Sequence, residues 1–130
     1  MRRALLLSVL AFTSLGLSAC KAELSSTLQI DGEAFTPTSC RSGQLNNFMG
    51  VDLIDDSGKT LRLVQSPANK PAAILMEGGA TTELGECGQF TVQRQNSSVN
   101  DVHNVEGSGT LECKAEGHEI TGNFTFKNCH

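Results

Sequence analysis

Cysteine provides the most reactive side chains in this chain of 130 residues, which contains five of them. No two cysteines are separated by two residues, so the sequence carries neither a CxxC redox motif nor the paired spacing of a zinc knuckle. Because the count is odd, at least one cysteine cannot form a disulfide within the chain. The first, Cys20, follows an apolar N-terminal segment. The other four are Cys40, Cys87, Cys113 and Cys129.

The N-terminal segment has the layout of a secretory signal peptide. Two arginines near the start supply a positive region, and the apolar run over 4–17 ends in small residues. Such a run is typical of export signals and is short for a transmembrane helix. The residues Leu17-Ser18-Ala19-Cys20 resemble the lipobox of bacterial lipoproteins. The alternative is an ordinary signal peptide with a chance cysteine near its cleavage site.

The lipobox resemblance, which covers residues 1–20 only, implies cleavage before Cys20 and attachment of diacylglycerol to its sulfur. Several acyl chains would then anchor the protein stably in a membrane. Lipoproteins of Gram-negative bacteria that remain in the inner membrane usually carry Asp after this cysteine, and here the residue is Lys21. The resemblance therefore implies the outer membrane and leaves open which side the domain faces.

Length and composition predict one small domain after the signal. We assign residues 1–19 to the signal peptide, 20–26 to the lipidated cysteine and a polar tether, and 27–130 to a single domain. Without its two N-terminal arginines the chain has 8 basic and 14 acidic residues, and no basic cluster. An acidic surface of this kind argues against nucleic acid and anionic lipid as partners. The absence of Trp and Tyr also makes a lectin or RNA-binding protein a poor fit.

The last third of the chain predicts a β-hairpin. Strands over Gly107–Ala115 and His118–Lys127, joined by Glu116-Gly117, place the apolar residues on one face and the polar residues on the other. Rings of Phe can then lie over facing glycines. The expected inward pairs are Cys113–Ile120, Leu111–Gly122, Gly109–Phe124 and Gly107–Phe126.

A second hairpin is predicted around the loop Asp56-Ser57-Gly58. This three-residue loop places Leu53 opposite Leu61 and Val51 opposite Leu63, whereas a two-residue loop would mix the faces. Asp52 would then pair with Arg62 across the outer face. The three aspartates here (52, 55 and 56) lack EF-hand spacing, so we expect them to form turn hydrogen bonds rather than to bind calcium.

Weaker strand patterns at 27–34, 73–77 and 89–94 bring the expected total to about seven strands. The sequence therefore predicts an all-β domain, a small antiparallel sandwich or barrel stapled by two disulfides. Four cysteines allow three pairings. In the register of the last hairpin, Cys129 lies roughly 30 Å from the partner of Cys113, at about 3.3 Å per residue. Cys113–Cys129 is therefore the least favoured bond.

Histidine offers one further candidate site. Extending the register of the last hairpin brings His103 opposite His130, and two facing imidazoles could bind Zn²⁺ or Cu²⁺, with Asp101 as a third ligand. Two histidines are a weak signal, so we expect no metal and no cofactor. His118, beside a turn, is expected to be solvated.

Neither a GxSxG motif nor a glycine-rich phosphate loop is present, and paired carboxylates such as Glu112 and Glu119 fall on the polar strand face. We therefore expect that the protein is not an enzyme. The longest polar stretch, Gln95–Asn104, is expected to be a connecting loop.

Two functions remain: a non-enzymatic envelope or surface module that contacts protein or matrix, or a small barrel that binds a ligand or metal. A cavity lined by Phe90, Phe124 and Phe126 would favour the second function.

Overall fold

The computed structural model describes residues 21–45 and 48–130, and the signal peptide, the lipobox and Cys20 lie outside them. Within the described part, eleven antiparallel strands form two sheets. The strands are β1 (Glu23–Ser26), β2 (Gln29–Ile30), β3 (Glu33–Ala34), β4 (Ser39–Leu45), β5 (Phe48–Ile54), β6 (Thr60–Gln65), β7 (Pro71–Glu77), β8 (Ala80–Gly85), β9 (Gln89–Val99), β10 (Val102–Ala115) and β11 (His118–Cys129).

The two sheets differ in how the chain builds them. Strands β4 to β8 form a simple five-stranded meander. The six-stranded sheet has the order β3-β2-β11-β10-β9, and β1 also pairs with β11. Apolar side chains from both sheets meet in one buried core. The predicted class, a small antiparallel β-sandwich with two disulfides, is therefore confirmed, with more strands than the seven expected.

Two-residue turns connect several of the neighbouring strands in both sheets. Four hairpins turn through dipeptides in which both residues have positive φ, the geometry that matches the twist of paired strands. At Glu116-Gly117 the φ angles are 52° and 77°. The other three dipeptides are Asp31-Gly32, Gly78-Gly79 and Asn100-Asp101.

Both predicted hairpin registers are confirmed. In β10–β11 the four expected inward pairs are all present, from Cys113–Ile120 to Gly107–Phe126. In β5–β6, Leu53 pairs with Leu61 and Val51 with Leu63. The loop between them closes with the Asp55 N–H donating to the Lys59 carbonyl at 3.0 Å. Period-two alternation fixed these registers because a slip of one residue would expose every buried side chain.

The disulfides tie the sheets together. Cys40–Cys129 joins β4 to β11 and so links one sheet to the other. Cys87–Cys113 joins the connection after β8 to β10. The prediction that Cys113 does not pair with Cys129 is confirmed.

Two stretches that the sequence assigns to irregular chain are strands. Residues 23–26 of the predicted tether form β1, in which Leu24 is paired with Phe126 and packs against the core. The predicted loop Gln95–Asn104 is the end of a hairpin, with Val99 paired to Val102 across Asn100-Asp101. The loop prediction is wrong because polar strand residues hide the alternation there, and Asn-Asp adopts the two positive φ angles that this turn requires.

Gly107 provides a test of the close packing inside the last hairpin. A Cβ at Gly107 would lie 2.6 Å from the Phe126 ring and would also meet the Thr91 carbonyl. We expect Gly107→Ala to lower the free energy of unfolding by about 1–3 kcal/mol through overpacking. Gly43→Ala is the matched control, since a Cβ at that strand glycine meets nothing within 4 Å. Equal denaturant midpoints for the two variants would contradict this packing.

Candidate functional site

The candidate site is the end of the six-stranded sheet at which the described chain begins, directly after Cys20 in the sequence. Here β1 runs alongside the end of β11, with Glu23 paired to Lys127. The Lys21 carbonyl accepts a hydrogen bond from Asn128 Nδ2 at 3.2 Å. We call this region, formed by Lys21, β1 and the end of β11, the anchor end.

Asn128 is held at the anchor end from a second direction. Its backbone N–H donates to Gln95 Oε1 at 2.8 Å, and Gln95 Nε2 donates back to Asn128 Oδ1 at 2.9 Å. The next residue, Cys129, is fully buried and bonded to Cys40 in the other sheet. A force applied to the chain at Lys21 therefore acts on a covalently linked part of the sandwich rather than on a loose tail.

Polar residues of the β9–β10 hairpin continue the anchor end. His103 Nδ1 lies 2.9 Å from the Gln95 carbonyl oxygen, which accepts from the ring when Nδ1 is protonated. Asn104 is 1% exposed, and its Nδ2 donates to Ser97 Oγ at 3.1 Å. Its Oδ1 has no hydrogen-bond partner. Asn104 therefore occupies an inward-facing strand position with a polar side chain.

The predicted facing pair of histidines is wrong. The register of β10 and β11 shifts between Val105 and Gly107, so that Val105 pairs with Cys129 and the simple extension to His103 and His130 fails. His103 instead pairs with Ser98 of β9, and Asp101 lies in the turn next to it. No cluster of three or more His, Cys, Asp or Glu able to hold a metal ion occurs in residues 21–45 and 48–130.

The acidic turn after β5 does what its sequence predicts. Asp55 Oδ1 accepts hydrogen bonds from the N–H groups of Ser57 at 2.9 Å and Lys59 at 3.0 Å. Asp52 pairs with Arg62, with Oδ1 2.7 Å from Nε. These carboxylates are committed to turn and cross-strand contacts. Glu112 and Glu119 lie exposed on the polar face of the last hairpin, as expected.

The three phenylalanines that could line a ligand cavity pack against one another instead. The rings of Phe90 and Phe124 have centroids 6.0 Å apart in an edge arrangement, and those of Phe124 and Phe126 are stacked at 6.1 Å. All three are at most 6% exposed. A shallow groove of about 930 Å³ lies on the surface beside this cluster, between β9 and the loop after β6. Its lining includes Met49, Pro67 and the edge residue of the cluster, Phe90.

His118 is held rather than freely solvated. Its Nδ1 lies 2.7 Å from Asp31 Oδ2, and the backbone N–H of Glu119 donates to Asp31 Oδ1 at 2.8 Å. The backbone hydrogen bond from Glu119, followed by the contact with His118, lowers the pKa of Asp31 below its ordinary value of 3.8. Sequence reasoning missed this contact because Asp31 and His118 are distant in the chain.

The Asp31 contact predicts a pH dependence. A carboxyl group whose pKa is lower in the folded state stabilises the fold above the unfolded-state pKa, and this contribution is lost as the pH falls through the folded-state pKa. We therefore expect the stability difference between the native chain and Asp31→Asn to shrink as the pH falls below about 4. Denaturant melts across that range measure it, and a difference that grows on acidification would contradict the assignment.

No protein-family model matches the chain, and comparison with curated proteins and with solved structures finds no match. In the part of the chain that the structure describes, no helix has the length and apolar character to cross a bilayer.

Proposed function

We propose that this protein is a lipid-anchored module of the bacterial cell envelope, carried on diacylglycerol at Cys20. The observation that supports the proposal is the pairing of the cysteines. Cys40 bonds Cys129 and Cys87 bonds Cys113, so no other cysteine of the chain is left to pair with Cys20. Two disulfides also fit an exported protein, since such bonds persist in oxidising compartments.

The position of Cys20 relative to the fold supports the same proposal. Lys21 is already hydrogen-bonded to β11, and β1 begins at Glu23. A lipid on the preceding residue would hold the domain directly against the membrane surface, without a long spacer. With Lys21 after the modified cysteine, the proposed location is the outer membrane.

The proposed role of the domain is non-enzymatic contact with an envelope or matrix protein. The phenylalanine cluster supports this role over ligand storage, because the rings fill the space between the sheets rather than line an enclosed cavity. The alternative, binding of a small ligand, is favoured by the open groove beside Phe90. An apolar ligand in the groove would contact Met49 and Pro67. Isotope-edited NMR would detect contacts between the ligand and these two side chains.

Substitution of Cys20 tests the anchor. We expect the full chain, expressed in a Gram-negative host, to fractionate with the outer membrane and to extract only into detergent. Cys20→Ser should lose acylation and outer-membrane association, since the acyl chains supply the membrane affinity. Lys21→Asp should keep the lipid and shift the protein to the inner-membrane fraction. Wild-type protein recovered as a soluble species would contradict the proposal.

A further inference from the structure

The hairpin formed by β9 and β10 reaches past the anchor end. Val105 pairs with Cys129 near the end of β11 and Glu23 with Lys127, so Lys21 lies close to the level of Val105. From Val105 the hairpin continues through His103 to its tip at Asn100-Asp101. At about 3.3 Å per residue, the three residues from Val105 to Val102 extend roughly 10 Å further in this direction.

The tip of this hairpin is apolar on its flanks. Val99 and Val102 are 43% and 48% exposed, which is a large exposure for aliphatic side chains. They are paired directly across the two strands, so their side chains lie together on one face of the hairpin. This exposed pair offers a small apolar surface at the end of the hairpin.

The place at which the proposed lipid site joins the fold indicates what the valine pair contacts. Lys21 is the first described residue and is hydrogen-bonded at the anchor end, so the residue proposed to carry the lipid is joined to the chain at the end of the sheet from which the hairpin projects. With the acyl chains of Cys20 in the bilayer, the projecting hairpin would carry the valine pair to the membrane surface. We propose that the tip of the β9–β10 hairpin, Val99 to Val102, inserts into the membrane interface beside the lipid anchor.

The chemistry of the tip defines the lipid surface. Asn100 and Asp101 form the turn itself, and a carboxylate there disfavours an anionic surface. The tip therefore fits a zwitterionic headgroup layer, with Asn100, Asp101 and the valine pair together at headgroup depth. Two valines supply little affinity alone, so this contact depends on the high effective concentration that the proposed anchor creates. The inference thus rests on the proposed lipidation.

The absence of Trp from the chain permits a direct test, because a single substitution introduces the only indole. Val102→Trp places it at the tip, and Lys114→Trp is the control, an exposed position at the far end of the same strand. Each lipidated protein is reconstituted in vesicles of phosphatidylethanolamine and phosphatidylcholine with brominated acyl chains. We expect the indole fluorescence of the Val102→Trp protein to be quenched at least about twofold more strongly than that of the control, at a depth of roughly 5–10 Å.

A second measurement uses the protein without an introduced Trp, so that the indole cannot itself cause the membrane contact. In the unsubstituted protein on the same vesicles, hydrogen exchange at residues 99–102 should slow relative to the unacylated mature chain (residues 20–130 with Cys20→Ser) in solution, while the turn at 55–59 should be unchanged. Equal quenching of the two substituted proteins together with unchanged exchange at 99–102 would overturn the inference.

Failure of lipidation is distinguishable from failure of the hairpin contact. The intact mass of each sample shows whether acyl chains are present. If they are absent, Cys20 carries a free thiol, and it can be coupled to a maleimide phospholipid because the other four cysteines are in disulfides. The quenching and exchange measurements then test the hairpin on an anchor of known chemistry, with the same expected and contradicting results.

Discussion

Replacing Phe124 with alanine is expected to lower the free energy of unfolding by about 3–5 kcal/mol, the cost of removing a large buried aromatic ring from a packed core. Phe124 is 2% exposed and lies between Phe90 and Phe126, touching one ring edge-on and stacking on the other. Its loss leaves a space that neither neighbouring ring can fill. For a domain of this size the change is a large fraction of the total stability.

Thr125 is the control for this prediction because it is adjacent in the chain and points outward. It is exposed and pairs with Ser108 across the polar face. Thr125→Ala should therefore cost on the order of 1 kcal/mol at most, mainly through reduced β-propensity. Urea melts of both variants give the comparison. A cost at Thr125 equal to or above that at Phe124 would show that the inward and outward faces of β11 are reversed.

Removing the Cys40–Cys129 disulfide is expected to have the other large effect. This bond closes a sequence separation of 89 residues, against 26 for Cys87–Cys113. In the chain-entropy model, the longer loop corresponds to about 4–5 kcal/mol and the shorter to about 3–4 kcal/mol. The longer bond also joins the two sheets, so its loss frees β4 from β11.

Paired alanine substitutions measure this difference without leaving a free thiol. We expect Cys40→Ala with Cys129→Ala to lower the denaturant midpoint more than Cys87→Ala with Cys113→Ala. Non-reducing peptide mapping of the native protein should give the two linked peptides directly. A greater loss for the shorter loop would mean that local packing around Cys113, rather than loop closure, governs the contribution of these bonds.

The hairpins that alternate cleanly could be predicted from the sequence in full. In β10–β11 every second residue is apolar or glycine, and Glu116-Gly117 provides a turn of fixed length. These two constraints leave one register. The register in turn excluded one disulfide, since a strand cannot bring Cys129 back to Cys113. The choice between the remaining two pairings depended on how the sheets pack, which no local pattern contains.

The β9–β10 tip could not be predicted in the same way. Its inward residues include Asn104 in place of an aliphatic side chain, so the period-two signal disappears. A shift in pairing next to Val105 also displaced the expected partner of His103, because bulges follow from sheet geometry rather than from composition. The pair Val99 and Val102 around Asn100-Asp101 was the one signal of a hairpin there.

The anchor end shows the same division between local and long-range information. A lipobox is contained in four consecutive residues, so Cys20 could be identified as the candidate lipid site from sequence. The pairing of β1 with β11 could not be identified, because residues 23–26 are too short to show a pattern and their partner lies at the other end of the chain. Their placement puts Lys21, the first described residue, at the end of the sheet from which the valine hairpin projects.

The intact mass of the protein purified from the membrane fraction of a Gram-negative host tests the lipid anchor most directly. We expect a chain that starts at Cys20, carries a diacylglycerol thioether and an N-linked acyl chain, and contains two disulfides. Tandem fragmentation should place all the added lipid mass on Cys20. A chain of the same length without acyl mass, or a product cleaved at another position, would contradict a lipid anchor at Cys20.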